Sequence, residues 1–124
     1  MARVLIVEDN PVNMKLATFL LQSAGHTVLS ATDAEAGLAL ARGEQPNLIL
    51  MDIQLPGMDG ITALKQLKAD ATTKSIPVIA VTASAMTYKR QTMLAEGFDG
   101  YQSKPISVKD FLGELERVLA SHAS

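Results

Sequence analysis

With 124 residues, no cysteine and a formal net charge of −2, the chain is long enough to bury a core without disulfides or thiolate-bound zinc. Lys and Arg are scattered, Trp is absent and only 4% of residues are aromatic, which excludes a basic nucleic-acid patch, a base-stacking platform and a carbohydrate platform. Apolar runs are strand-length and the N-terminus lacks a signal-peptide pattern, so the expectation is a single domain over 1–124, soluble and cytoplasmic, with no membrane insertion and no direct nucleic acid.

In chain order, Arg3 to Val7 reads as a first strand that ends in Glu8-Asp9. Asn10 is placed as an N-cap and Pro11 as the first helical residue, where a missing N–H costs nothing. Val12, Leu16, Phe19 and Leu20 form the expected apolar stripe of that helix, closed by Gly25. Thr27 to Ala31 is a shorter second strand. Thr32-Asp33-Ala34-Glu35 matches a capping box and opens a helix of small residues that ends near Gly43. Asn47 to Asp52 is the third strand; its run Leu48-Ile49-Leu50-Met51 has no polar alternation, as in a strand covered on both faces of a parallel sheet. A Pro- and Gly-containing loop follows, then a helix marked by Ile61, Leu64 and Leu67 that runs to about Ala71. Pro77 to Thr82 is the fourth strand. Ser84 to Glu96 is the fourth helix, ended by Gly97; its stripe is thin, mostly Met86, Met93 and Leu94, which predicts a weakly anchored element. Asp99 to Gln102 is the fifth strand. Ser107 caps the last helix, whose stripe Val108, Phe111, Leu112, Leu115, Val118, Leu119 is the cleanest in the chain. Strands joined by crossover helices are parallel and the crossovers right-handed, which predicts a doubly wound α/β sandwich of five β-α units.

In such sheets ligands bind beyond the carboxyl ends of the strands. Glu8-Asp9, Asp52, Thr82 and Lys104 all fall on that edge. Alone, Asp52 reads equally as a turn or capping aspartate, Thr82 as an N-cap for the fourth helix, and Lys104 as a solvated lysine. Together they form one set. Three crowded carboxylates repel one another unless a cation joins them, and oxygen-only ligands suit a hard divalent ion that keeps waters for a phosphate; Mg2+ fits best, with Mn2+ as a substitute. Lys104 can then anchor a phosphoryl oxygen or the Asp52 carboxylate, Thr82 can donate to a further phosphoryl oxygen, and Asp52 is the candidate nucleophile for an aspartyl-phosphate.

Glu8-Asp9, Asp52 with Pro56 and Gly60 behind it, Thr82-Ala83, Tyr101 and Lys104-Pro105, in that order over essentially the whole length, resemble the receiver domain of two-component response regulators. The resemblance implies a flavodoxin-like (βα)5 fold with strand order 2-1-3-4-5. It implies that Asp52 accepts a phosphoryl group from a phospho-histidine of a sensor histidine kinase or phosphotransfer protein. It implies that Glu8, Asp9, Asp52 and the backbone carbonyl of Gln54 hold the metal, that Thr82 and Tyr101 are a switch pair, that Lys104 binds phosphate, that Gln54 and Ser84 line the pocket mouth, and that Lys104–Pro105 is cis. Within the family the look is closest to DivK-type single-domain regulators of the bacterial cell cycle; a receiver domain excised from a hybrid histidine kinase looks much the same.

The resemblance implies a switch rather than a turnover enzyme. Thr82 moves toward the phosphoryl group, Tyr101 turns inward, and the fourth helix shifts to alter a surface made with the fifth strand and fifth helix. If Ser124 is the natural end, the expected output is binding to a downstream signalling protein, by a monomer or weak dimer. Two rivals are weaker. A small aspartyl-phosphate phosphatase would carry a second Asp two residues after the nucleophile, where this chain has Gln54. A flavin or nucleotide binder would need a Gly/Ser/Thr-rich loop in place of Glu8-Asp9-Asn10-Pro11. His26 and His122 are expected at the surface, and the methionines as core filler.

Overall fold

The computed structural model describes residues 2–122. Its elements are β1 (Arg3–Val7), α1 (Pro11–Ser23), β2 (Thr27–Ala31), α2 (Ala34–Glu44), β3 (Leu48–Asp52), α3 (Gly60–Ala69), β4 (Val78–Thr82), α4 (Arg90–Glu96), β5 (Gly100–Ser103) and α5 (Val108–His122). The sheet has the order β2-β1-β3-β4-β5, and every neighbouring pair is parallel. The alternation of strand side chains divides the core into two layers. Val4, Ile6, Leu48, Leu50, Ile79 and Val81 meet α1 and α5 through Leu20, Leu21, Phe111, Leu115 and Val118. Leu5, Val7, Ile49, Met51, Val78 and Ala80 meet the other three helices through Leu38, Leu64, Leu67 and Met93. All five residues of β3 are buried, as its unbroken apolar run predicts.

Strand order reverses between β1 and β3, so the crevice beyond their carboxyl ends is the topological switch point where ligands bind in open α/β sheets. Register delivers the acidic residues there: Val7 pairs with Met51, so Glu8 and Asp52 leave the sheet side by side. The Lys104 amide donates to the Thr82 carbonyl at 2.8 Å, which brings the chain after β5 back to the end of β4. The Lys104–Pro105 bond is cis, as expected. Gly60 is required by close approach, because a Cβ there would meet Ile53 Cα at 2.9 Å.

Several local expectations are corrected. The fourth helix begins at Arg90, not Ser84. Residues 84–89 form a turn in which Thr87 and Tyr88 donate to the Ser84 carbonyl, and Met86 is 90% exposed. Only Tyr88 of this stretch packs on the core, and with Met86 in solvent there is no apolar stripe to hold the turn to the sheet as helix. Thr82 therefore caps no helix; the N-cap is Lys89, which makes no side-chain capping bond. In α1 Leu20 of the expected stripe is buried, together with Ala17 and Leu21, whereas Val12 is 73%, Phe19 64% and Leu16 37% exposed. Both sets have helical spacing, and the small Ala17 rather than the large Phe19 marks the face that approaches the sheet. The cap of α2 is Asp33, whose side chain accepts from the Ala36 amide, in place of Thr32 in the expected capping box. His26 is not a surface residue: it is 7% exposed, its Nδ1 accepts from the Ala2 amide at 3.0 Å, and its Nε2 lies 3.2 Å from Glu116. Its ring satisfies an amide at the start of β1. His122 is exposed as expected, with Nε2 3.4 Å from Asp99. Among the described residues no helix is long and apolar enough to cross a membrane.

Candidate functional site

The pocket is built from the ends of β1, β3, β4 and β5 and the turns that follow them. Asn10 opens α1 as an N-cap, its side chain accepting from the amides of Val12 and Asn13 at 2.9 and 3.1 Å. This fixes the short turn Glu8-Asp9-Asn10, and the Asn10 amide in turn donates to Glu8 Oε2 at 3.1 Å. Glu8 is buried and turned inward, whereas Asp9 is exposed at the mouth. Asp52 ends β3 and is 3% exposed. Its Oδ1 accepts from the Gln54 amide at 3.1 Å and its Oδ2 from Lys104 Nζ at 3.1 Å. The same ammonium lies 2.8 Å from Glu8 Oε1, so one lysine bridges two buried carboxylates that come from opposite halves of the switch point.

Carboxylate oxygens of Glu8, Asp9 and Asp52 lie within 4.8 Å of one another. Three carboxylates against one ammonium leave a formal surplus of two negative charges in this depression. Electrostatics record the crowding. Burial, with the neighbouring Asp52, pushes the Glu8 carboxyl above its ordinary value despite the Lys104 and Asn10 bonds. Burial opposes charge on Lys104 too, but the bonds and charges of Glu8 and Asp52 outweigh it and raise its pKa. Hard oxygen donors, a double negative surplus and a carboxyl held toward protonation are what a divalent cation would relieve, so the cluster fits one.

Thr82, fully buried at the end of β4, has its Oγ1 accepting from the Ser84 amide at 3.0 Å. Tyr101 on β5 points inward: it is 7% exposed, packs in the sheet core, and its hydroxyl donates to the Tyr88 carbonyl at 2.6 Å. Burial raises its phenol pKa, and the Arg90 charge opposes that rise.

The structure thus gathers Glu8, Asp9, Asp52 and Lys104 into one pocket, with Thr82 at the end of the adjoining strand and Tyr101 one strand further on. Gln54 joins the set through its amide. Sequence reasoning missed Arg90, Glu114 and the Tyr88 carbonyl, which surround Tyr101. No periodicity or motif marks them, since two are charged residues on helix surfaces and the third is a main-chain group.

Comparison with known proteins agrees with this geometry. The family model described as the response regulator receiver domain matches residues 4–116. Protein PilH of Pseudomonas aeruginosa is 42% identical over 120 residues, covering 97% of this chain and 99% of PilH. The polar-differentiation response regulator DivK of Brucella anthropi is 44% identical over 116 residues, 94% of each chain. Among solved structures, the receiver domain of a sensor histidine kinase from Pseudomonas aeruginosa, with a magnesium ion coordinated in its active site cleft, superposes with a TM-score of 0.88 at 32% identity, covering 96% of this chain and 98% of that one. A chemotaxis response regulator of Vibrio cholerae gives 0.87 at 30% identity, with 95% and 98% coverage.

Proposed function

Because the chain belongs to the response regulator receiver domain family of two-component signal transduction, we propose that Asp52 is its phosphoacceptor and that the phosphoryl group comes from a phospho-histidine of a sensor kinase or phosphotransfer protein. The observation that carries the assignment is the Lys104 ammonium bridging Asp52 and Glu8 at the switch point. An Asp52 oxygen attacks phosphorus, the O–P bond forms as the N–P bond to imidazole breaks, and the departing nitrogen keeps the electron pair. Lys104 is placed to offset charge on the acyl phosphate, and the Gln54 amide orients the carboxylate. Glu8, Asp9, Asp52 and the Gln54 carbonyl would hold Mg2+, with Mn2+ as a substitute, and the ion would supply charge neutralisation for the transferring phosphoryl group. Water later attacks the mixed anhydride and releases inorganic phosphate. No separate substrate is turned over; Gln54 stands where an acid-base carboxylate would serve a phosphatase.

The new phosphoryl group brings about two negative charges to the pocket. Thr82 gives up its bond from the Ser84 amide to donate to that group, and the inward rotamer of Tyr101 is the state it favours. The surface of α4, β5 and α5 then engages a downstream signalling protein in the cytoplasm, with the receiver (the whole of 1–124) acting as monomer or weak dimer. Similarity to DivK favours a cell-cycle regulator, and similarity to PilH places other single-domain roles beside it. The test is phosphotransfer from radiolabelled acetyl phosphate and from a phosphorylated kinase, with and without Mg2+. Asp52→Asn is expected to abolish acid-stable, base-labile label; label retained on that variant overturns the assignment.

A further inference from the structure

Tyr101 is held by more than its hydroxyl. The Arg90 guanidinium, at the first residue of α4, lies 5.3 Å from the centre of the Tyr101 ring. Its Nη2 donates to the Tyr101 carbonyl at 3.3 Å, and its Nη1 donates to Glu114 Oε2 at 3.2 Å. Glu114 Oε2 also accepts from the Tyr101 amide at 2.7 Å. Residue 101 is therefore gripped at ring, amide and carbonyl by two side chains from the flanking helices. Glu114 is fixed from the other side by Arg117, whose Nε and Nη2 both donate to it at 3.1 Å. Gly100 makes room for this carboxylate: a Cβ there would meet Glu114 Oε2 at 2.9 Å and Val118 Cγ2 at 2.8 Å. Meanwhile α4 has seven residues, one buried side chain (Met93) and no capping side chain. Arg90 adds contacts to β5 and α5 that this thinly anchored helix makes through no other side-chain hydrogen bond among the described residues.

We propose that Arg90 is a positioning residue for Tyr101, with Glu114 as its fixed anchor, and that the pair holds the ring inward and ties the start of α4 to that rotamer. The Tyr101 hydroxyl pins the turn before α4 through the Tyr88 carbonyl, and the Arg90 guanidinium over the ring face ties α4 to the same rotamer, so a ring that leaves gives up both contacts. The functional consequence rests on the reading of Tyr101 as a switch. Arg90 and the phosphoryl group then favour the same state, so each strengthens the response to the other by the same factor.

The experiment uses the full chain carrying Tyr88→Phe, which preserves the accepting carbonyl and leaves Tyr101 as the single tyrosine. Arg90 is 51% exposed, so its removal opens no core cavity. Ring signals of 13C-labelled Tyr101 report its rotamer, and absorbance titration reports its phenol. Arg90→Ala is expected to raise the outward population about five-fold before phosphorylation, with Arg90→Lys between parent and Ala because it keeps the charge and loses the fork. The titration distinguishes positioning from mere proximity. Burial raises this phenol and Arg90 lowers it, so losing the charge alone moves the pKa further up, whereas releasing the ring to water moves it down toward the ordinary value. A downward movement supports the proposal; an unmoved ring with a phenol shifted upward overturns it. Acetyl phosphate with Mg2+ added to the Arg90→Ala variant, whose outward population is the larger, tests the switch separately: an outward population that phosphorylation does not lower removes the switch reading, while the grip of Arg90 is still decided by the unphosphorylated variant.

Discussion

The acidic pocket around Asp52 and the α4 segment lie one strand apart and are held in opposite ways. In the pocket, Asp52 and Glu8 are buried and Lys104 half-buried, and every one of them has two partners drawn from the end of β3, the turns after β1 and β3 or the turn after β5. The frame beneath it is just as firm: β3 and β4 are wholly buried, and α5 drives Phe111, Leu115 and Val118 into the layer below. The α4 segment has an exposed turn, a seven-residue helix and Met93 as its buried anchor. A switch needs both. Binding chemistry works when its groups are pre-positioned, and a signal moves outward only through an element whose alternative positions differ by little free energy.

The largest effect is expected from breaking the frame. Phe111→Ala removes a fully buried ring of α5 and is expected to lower global stability by about 3–5 kcal/mol, read as a fall in the urea midpoint with unchanged slope. A loss below about 1 kcal/mol would place α5 among the loosely held parts and dissolve the contrast.

Breaking the pocket comes next. Lys104→Met leaves Glu8 and Asp52 buried without their cation, with an expected loss of about 3 kcal/mol at neutral pH. The pH profile sharpens this. The Glu8 carboxyl is raised, chiefly by burial and further by Asp52, so it binds its proton more tightly folded than unfolded. Its contribution is fully present below its ordinary value and is lost as pH rises through the raised one. Without Lys104 the raise grows, so the deficit of the variant should narrow as the solution is acidified from neutrality toward the ordinary Glu range. Added Mg2+ should raise the thermal midpoint of the variant more than that of the parent, because the variant has the larger surplus of negative charge. Equal responses would mean that the carboxylates do not act as one cluster.

A smaller effect is expected where the frame meets α4. Burial raises the Glu114 carboxyl, but the Arg117 bond, the Tyr101 amide and the charges of Arg117 and Arg90 outweigh it and hold the carboxyl below its ordinary value. A lowered carboxyl gives stability that is present above the unfolded value and lost as pH falls through the folded one. Acidification below about pH 4.5 should therefore loosen α4 and β5, and Glu114→Gln should remove that acid-dependent part of the unfolding profile. An unchanged profile would leave Glu114 without a role in the junction.

Much of this contrast is legible in the residues themselves. The unbroken run into Asp52 announces a doubly covered strand, and turn chemistry at Asn10-Pro11 and Gly97 marks helix ends that the structure keeps. The set Glu8, Asp9, Asp52, Thr82 and Lys104 is legible because parallel topology sends all strand ends to one edge. The start of α4 was not, because apolar spacing cannot tell whether Met86 has a surface to pack on; it has none. Of the buried face of α1 Leu20 was legible and the rest was not, because Ala17 carries little hydrophobic weight, yet its small size lets the helix approach. His26 and Glu114 are polar residues whose burial depends on partners 24 and 13 positions away, a separation that local pattern does not encode.

The smallest expected effect concerns α4 when the frame is weakened. Native-state hydrogen exchange of buried α5 amides should require global unfolding, whereas amides of Arg90–Glu96 should exchange through local opening at a much lower free energy. These two routes respond differently to the same mutation. Phe111→Ala lowers the cost of global unfolding, so protection in α5 should fall by the full loss of stability. It does not touch Met93 or the turn before α4, so the local opening there should change by less than about 0.5 kcal/mol. Arg90→Ala should do the reverse, reducing protection across α4 while leaving α5 near its parent value. If Phe111→Ala instead lowers both helices equally, α4 opens only with the whole domain, and the element taken here as the movable wall of the output surface is as firmly held as the pocket it reports on.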